Sequence, residues 1–356
     1  MGQIKLMKGN EAFAEAVIRA GCDAYFGYPI TPQSEVMEYL ASQQPQKRTG
    51  MVLLQAESEI AAINMVYGAA GTGKRALTSS SSPGISLKQE GISYMVGSEL
   101  PCLVLNVMRG GPGLGTIGPS QSDYFQATKG GGHGDYKVIV LAPSSVQEMA
   151  DFAGLGFELA FKYRNPVVIL SDGAIGQMME KVELGEQKPR TTTFDQSWVT
   201  TGKTPDRERN IITSLNLDPL LMEVHNQKLQ AKFARMVEEE VRYELIDCDD
   251  ADYLLVAYGS CARICQKTIK LARQKGIRLG LLRPITLFPY PAKIIQEMTG
   301  KIKGILAVEL SAGQMVEDVR LAAEGKVRVG FYGRMGGTTP APNEVLSALE
   351  QQFLNS

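Results

Sequence analysis

Short apolar runs alternate with amphipathic segments through the first half of the chain. In the first amphipathic segment, residues 10–20, Phe13, Val17 and Ala20 share one helical face, with Asn10 placed to cap the start and Gly21 to stop the end. A strand over 23–28 follows, then Pro29-Ile30-Thr31-Pro32 and a helix through residue 40. The pattern next predicts a strand MVLLQA (51–56), a helix over 57–70, a strand RALTSS (75–80), and a turn at Ser82-Pro83-Gly84 leading into a helix. PCLVLNVM (101–108), KVIVLA (137–142) and PVVILS (166–171) read as strands, with a long helix over 144–163 between the last two. Strands written as apolar runs and separated by helices predict a parallel sheet covered on both faces.

From about 179 to 246 the pattern breaks. LGEQKPRTTTFDQSWVTTGKTPDRERN is polar and turn-rich and reads as a connector. A charged amphipathic helix over 221–243 follows, suited to docking against a partner or another domain. A second α/β unit begins at YLLVAYGS (253–260) and continues through RLGLLRP, GILAVEL and VRVGFYG. The expected architecture is α/β, with one parallel-sheet unit over 1–180, a connector over 181–246 and a second unit over 247–356.

Composition removes several function classes. With 356 residues, 44% hydrophobic and 21% charged, the chain can bury more than one core. A formal net charge of −1 gives no basic surplus for nucleic acid. No apolar run is long enough to span a membrane, and the N-terminus lacks the apolar core of a signal peptide. Five scattered cysteines fit a reducing cytoplasm and contain no four-cysteine set for an iron–sulfur cluster. Cys261 and Cys265 are at helical spacing and are expected to pack inside a helix.

Three short motifs mislead. The run GAAGTGK at 68–74 imitates a phosphate-binding P-loop, but Arg75 stands where Ser or Thr should hold Mg²⁺, and a helical pattern precedes it. A helix end turning into the next strand is expected there. RGGPGLG at 109–115 misses the spacing of the dinucleotide fingerprint. The serines at 79–82 lack the glycines of a nucleophile elbow. With only His133 and His225, neither a Ser-His-Asp triad nor a histidine zinc site is expected.

Five positions could carry chemistry. Thr31 lies at a strand's carboxyl end; before Pro32 it reads as a helix N-cap, and the same helix start would also attract a substrate carboxylate. Glu57 and Glu59 open the next helix, and at a spacing of two residues they cannot share a face. The apolar run after Glu59 points to burial of that carboxylate, as a proton-transfer group requires. Arg109 follows a buried-looking strand and fits a clamp on a 2-oxoacid carboxylate as well as it fits an ordinary salt bridge. The glycine-rich loop that it opens, running to Asp135, has the length of a functional lid or interface and contains His133, which could touch substrate or cofactor.

GNEAFAEAVIRAGCDAYFGYPITPQSEVMEYL, QAESEIAAINMVYGAAGTGKRALTSSSSPGISLKQEGISYMVGSELP and MRGGPGLGTIGPSQSDYFQATKGGGHGDY closely resemble the α subunits of 2-oxoacid:ferredoxin oxidoreductases. The wording is nearest to the branched-chain (2-oxoisovalerate, or 3-methyl-2-oxobutanoate) type, with the 2-oxoglutarate type next. The resemblance implies a pyrimidine-binding thiamin diphosphate domain followed by a transketolase C-terminal-like domain. It implies that Thr31 and Arg109 bind the 2-oxoacid, that Pro29, Thr31 and Glu59 face the cofactor, and that Glu59 is the carboxylate opposite the aminopyrimidine ring. The Gly-Asp-Gly…Asn motif for Mg²⁺ and diphosphate is missing, Ser171-Asp172-Gly173 being its nearest imitation, so no metal ligand is expected in this chain. The resemblance places that motif on a β subunit, and iron–sulfur clusters on β and a ferredoxin-like δ subunit, beside a γ subunit. Coenzyme A and ferredoxin complete the implied reaction, which converts the 2-oxoacid to acyl-CoA, CO₂ and reduced ferredoxin. The competing readings are a non-catalytic scaffold subunit of the same complex and an acyl-transferring enzyme with a nucleotide site.

Overall fold

The computed structural model describes residues 3–187 and 194–355, so the part of the connector at 188–193 lies outside the described residues. Two sheets carry the fold. The larger has seven strands in the order Thr286–Phe288, Ile139–Leu141, Pro166–Asp172, Cys102–Met108, Ala76–Ser80, Ala24–Gly27 and Val52–Gln55. All its pairings are parallel except that of the first strand with Ile139–Leu141. Cys102–Met108 and Pro166–Asp172 are buried along their whole length, as apolar runs covered on both faces require. The smaller sheet has five strands in the order Val329–Gly333, Gly304–Glu309, Tyr253–Val256, Leu279–Pro284 and Tyr243–Ile246, the last antiparallel to its neighbour. The expected α/β class with two parallel-sheet units is therefore present. The two sheets exchange edges, since Thr286–Phe288 pairs with the first sheet and the end of the connector pairs with the second.

Several local expectations change. An additional strand, Gln3–Lys8, pairs antiparallel with Met179–Leu184, forming a ribbon that buries Met7, Val182 and Leu184 against Ala12, Val146 and Ala150. Its polar-apolar alternation is short and spread over two distant segments, which hides it from a local reading. Asn10 is not a cap. The helix is Gly9–Arg19, and the buried Asn10 amide instead donates to Pro32 O at 2.7 Å and Glu35 Oε2 at 3.1 Å. Thr31 is not a cap either, because the next helix, Ser34–Gln43, has Gln33 in that position. Ser82-Pro83-Gly84 is no separate turn but the first turn of Ser82–Gly97, where proline's missing N–H costs nothing. The long helix is Pro219–Glu239, started by Asp218, whose carboxylate accepts from Leu220 N and Leu221 N.

Other expectations hold. The P-loop imitation is the end of helix Glu59–Gly71 and a turn at Gly73 (φ 74°) before Ala76–Ser80. Cys261 and Cys265 are buried in helix Gly259–Gln274. Among the described residues no helix is long and apolar enough to cross a membrane.

Candidate active site

Parallel strands deliver their carboxyl ends to one edge of the sheet, and ligands of open α/β sheets gather there. Four adjacent strands of the seven-stranded sheet bring Pro29 to Pro32, Glu57 to Glu59, Ser81 to Gly84 and Arg109 to that edge. Pro29 and Thr31 are exposed on their loop. Arg109 reaches back to this loop: Nη1 donates to Thr31 O at 2.9 Å and Nη2 to Leu114 O at 3.0 Å. Among the described residues no carboxylate pairs with Arg109, and its buried Nε–H has no acceptor. The salt-bridge alternative is thereby removed. A guanidinium held by two neutral carbonyls has no opposing charge and leaves three of its five N–H donors for an anion.

The loop is itself fixed from below. Asn10 Nδ2 and Gln177 Nε2 both donate to Pro32 O, at 2.7 and 2.8 Å. Beside it, Ser79 Oγ donates to Gln33 Oε1 at 2.5 Å and lies 2.8 Å from Tyr25 Oη. These contacts link residues far apart in the chain.

Glu59 and Glu57 separate as their spacing requires. Glu57 is exposed, while Glu59 retains only 7% of its surface. The helix begins at Glu59, not at Glu57 as expected, and Ser58 caps it by accepting from Ala61 N at 3.2 Å. Among the described residues no group donates a hydrogen bond to the Glu59 carboxylate. Gly84 leaves it room: a Cβ there would lie 2.6 Å from Glu59 Oε1 and 2.1 Å from Ser80 Oγ. Ser80 Oγ is buried there without a partner, and so are Thr78 Oγ1 and Ser81 Oγ near it in the chain and Asn106 Oδ1 opposite Ser80 on the adjacent strand. Buried polar atoms are nearly always hydrogen-bonded, so a cluster of orphans at a ligand-binding edge marks a place where a ligand or water completes the bonding. A carboxylate free to accept, beside a cradle that any side chain would fill, fits the nitrogen-rich pyrimidine half of thiamin diphosphate.

Asp172, in the imitation of the Mg²⁺ motif, accepts from Ala174 N and Ile175 N through Oδ1, and from Ser260 N at 2.8 Å through Oδ2. It caps two helices and is not available to a metal.

The glycine-rich loop doubles back on itself. Gly110 N donates to Gly118 O at 3.0 Å, and Thr116 N to Gly110 O at 2.8 Å. Gly115 has φ 56°, and a Cβ there would fall 1.8 Å from Gly110 O, so only glycine can close this turn. Beyond the turn Gln121 joins the loop to the second unit. Its Nε2 donates to Tyr258 O at 2.9 Å and its N to Leu310 O at 2.8 Å, while its Oε1 accepts from Leu310 N at 3.0 Å. Gln121→Ala should leave Leu310 N buried without its acceptor and take from Tyr258 O one of its two donors, the other being Ala262 N, destabilising the fold by about 1–3 kcal/mol. Chemical denaturation checks this, and an unchanged midpoint would show that the junction carries little.

Between loop and second unit lies a cleft of about 570 Å³. Among the described residues Arg109 is the one cation in its wall, and Leu310, Ala312 and Met335 give it an apolar side. Its one carboxylate, Asp123, is pushed up by burial, although Ser82 Oγ and Asn106 Nδ2 donate to it at 2.7 and 2.9 Å. His133 is not in this wall; its ring stands edge-on to Tyr94 at 5.7 Å.

Residues 15–243 match the family described as "Pyruvate flavodoxin/ferredoxin oxidoreductase, thiamine diP-bdg", and residues 251–345 match pyruvate:ferredoxin oxidoreductase core domain II. Ketoisovalerate oxidoreductase subunit VorB of Methanothermobacter thermautotrophicus is 49% identical over 98% of this chain and 97% of its own length. The 2-oxoglutarate synthase subunit KorA of Archaeoglobus fulgidus is 36% identical, covering 94% of this chain and 96% of its own. A solved 2-oxoglutarate:ferredoxin oxidoreductase from Magnetococcus marinus, with 2-oxoglutarate, coenzyme A and succinyl-CoA bound, matches 98% of this chain with a TM-score of 0.87 and 28% identity. This chain spans 65% of that solved chain.

Proposed function

The chain belongs to the thiamin-diphosphate-dependent 2-oxoacid:ferredoxin oxidoreductases, and on that premise we propose that it is the α subunit of a type acting on branched-chain 2-oxoacids such as 2-oxoisovalerate. The observation that carries the substrate is the cleft, which has an apolar side and, among the described residues, one cation without a carboxylate partner. Arg109 holds the C1 carboxylate shared by every 2-oxoacid. A distal carboxylate, as in 2-oxoglutarate, would need a second cation, and none stands in the wall among the described residues.

The chain's own residues divide the work. Arg109 binds and orients the substrate carboxylate through its charge and free Nε–H. Thr31, on the loop that Arg109 fastens, presents its hydroxyl to the substrate from an exposed position, with Pro29 beside it on the cofactor side. Glu59 holds the aminopyrimidine ring by accepting a hydrogen bond, and its carboxylate stores the proton exchanged there. When bound, thiamin diphosphate supplies the electron sink for loss of CO₂ from the 2-oxoacid. Residues 1–180 form the pyrimidine-facing domain, 181–246 the connector and 247–356 the transketolase-like domain. A β subunit brings the Mg²⁺–diphosphate motif. Clusters on β and on a ferredoxin-like δ subunit take the electrons to ferredoxin, a γ subunit completes the complex, and coenzyme A takes the acyl group, all in the cytoplasm.

The test is reduction of ferredoxin or viologen by the intact complex with coenzyme A and a series of 2-oxoacids. We expect kcat/KM for 2-oxoisovalerate to exceed that for 2-oxoglutarate on the order of 100-fold, the cost of burying an unpaired carboxylate. A preference for 2-oxoglutarate would overturn the substrate assignment.

A further inference from the structure

Lys88 is fully buried. A lysine inside a core needs a reason, because taking an ammonium out of water is costly unless something compensates it. Its Nζ makes one hydrogen bond, to the backbone carbonyl of Glu59 at 3.3 Å. The helix that carries it, Ser82–Gly97, approaches helix Glu59–Gly71 closely on both sides of this contact. One turn before Lys88, Gly84 faces the Glu59 carboxylate; one turn after it, a Cβ on Gly91 would lie 2.7 Å from the Ile63 side chain. The lysine is thus clamped between two glycine contacts, with its ammonium against the first residue of the Glu59 helix. Among the described residues Glu59 is the charged group close enough to act on it, and its negative charge favours the ammonium. On its own helix Glu90 is exposed and accepts from Tyr94 Oη at 2.6 Å.

We propose that Lys88 is a positioning residue for Glu59, fastening the main chain where that helix begins and keeping a positive charge behind its carboxylate. The proposal rests on Glu59 being the cofactor-facing carboxylate. Among the described residues no group outside this pair pairs with the buried cation.

Burial lowers Lys88 from the ordinary lysine value of 10.5 to about 8, so it remains mostly charged at neutral pH. The sign of its effect on stability follows. Between pH 8 and 10.5 the unfolded chain holds this proton more fully than the folded one, so the folded state gains stability as pH rises through that window. A lysine retained for stability alone would have the opposite signature on removal.

The experiment uses the intact complex carrying Lys88→Met, Glu59→Gln or both, with Lys88→Gln alongside so that an assembled uncharged variant is in hand. Expected for Lys88→Met is a kcat lower by about tenfold with the KM for the 2-oxoacid unchanged. Its thermal stability should rise below pH 8, and the gain should fade towards pH 10.5. In the Glu59→Gln background the same substitution should cost nothing further in kcat. Full activity of Lys88→Met beside an impaired Glu59→Gln overturns the proposal and leaves the Glu59 assignment standing. An equal loss in both backgrounds also overturns it. Full activity of Glu59→Gln removes the assignment of Glu59, and the proposal with it.

Discussion

Glu59→Gln in the assembled complex is expected to lower kcat by about 10²–10⁴-fold with every 2-oxoacid, the range lost when a positioned proton-transfer group is removed. The substitution is nearly isosteric and keeps the space opposite Gly84 filled as before. Among the described residues no hydrogen bond to the carboxylate is broken by it, so folding and assembly should be preserved. What changes is the chemistry at one position. The amide cannot store a proton, and its NH₂ presents donors where the ring of the cofactor requires an acceptor. Steady-state turnover with three 2-oxoacids of different side chain checks this. A loss confined to one of them would assign Glu59 to substrate selection instead.

Arg109→Ala is expected to weaken substrate capture most, lowering kcat/KM by about 100-fold mainly through KM, as loss of one partner of a charge-assisted pair costs 2–5 kcal/mol. Two effects combine in this number. The substrate carboxylate loses its one cation in the cleft, and the Thr31 and Leu114 carbonyls lose the donors that hold their loops together. Arg109→Lys separates them. An ammonium restores the charge but cannot span both carbonyls, so it should recover part of the affinity and leave the loops loosened. Recovery of full activity by lysine would show that the fork geometry is unimportant.

How much of this was legible in the sequence depends on the range of the contacts involved. The parallel sheet was readable because its strands are local apolar runs, and Glu59 and Arg109 because both stand at strand ends. The cap readings of Asn10 and Thr31 failed for one reason: their loop and helix are organised around Pro32 O, whose donors Asn10 and Gln177 come from opposite ends of the first unit. Local propensity cannot weigh a bond made across 145 residues. Gln121 was hidden in the same way, its partners lying in a second unit. Lys88 carried a readable signal, a single cation between Gly84 and Gly91 on the helix, but only burial identifies it as unusual. The two cleft walls are formed by segments that no periodicity relates.

The central claim is that this chain holds the pyrimidine half of a cofactor site and lacks the half that binds Mg²⁺ and diphosphate. Calorimetric titration of thiamin diphosphate with Mg²⁺ into the isolated chain, and into the complex containing it, tests this directly. Saturable binding in the complex and none to the chain alone is the predicted result; tight binding to the isolated chain would contradict it.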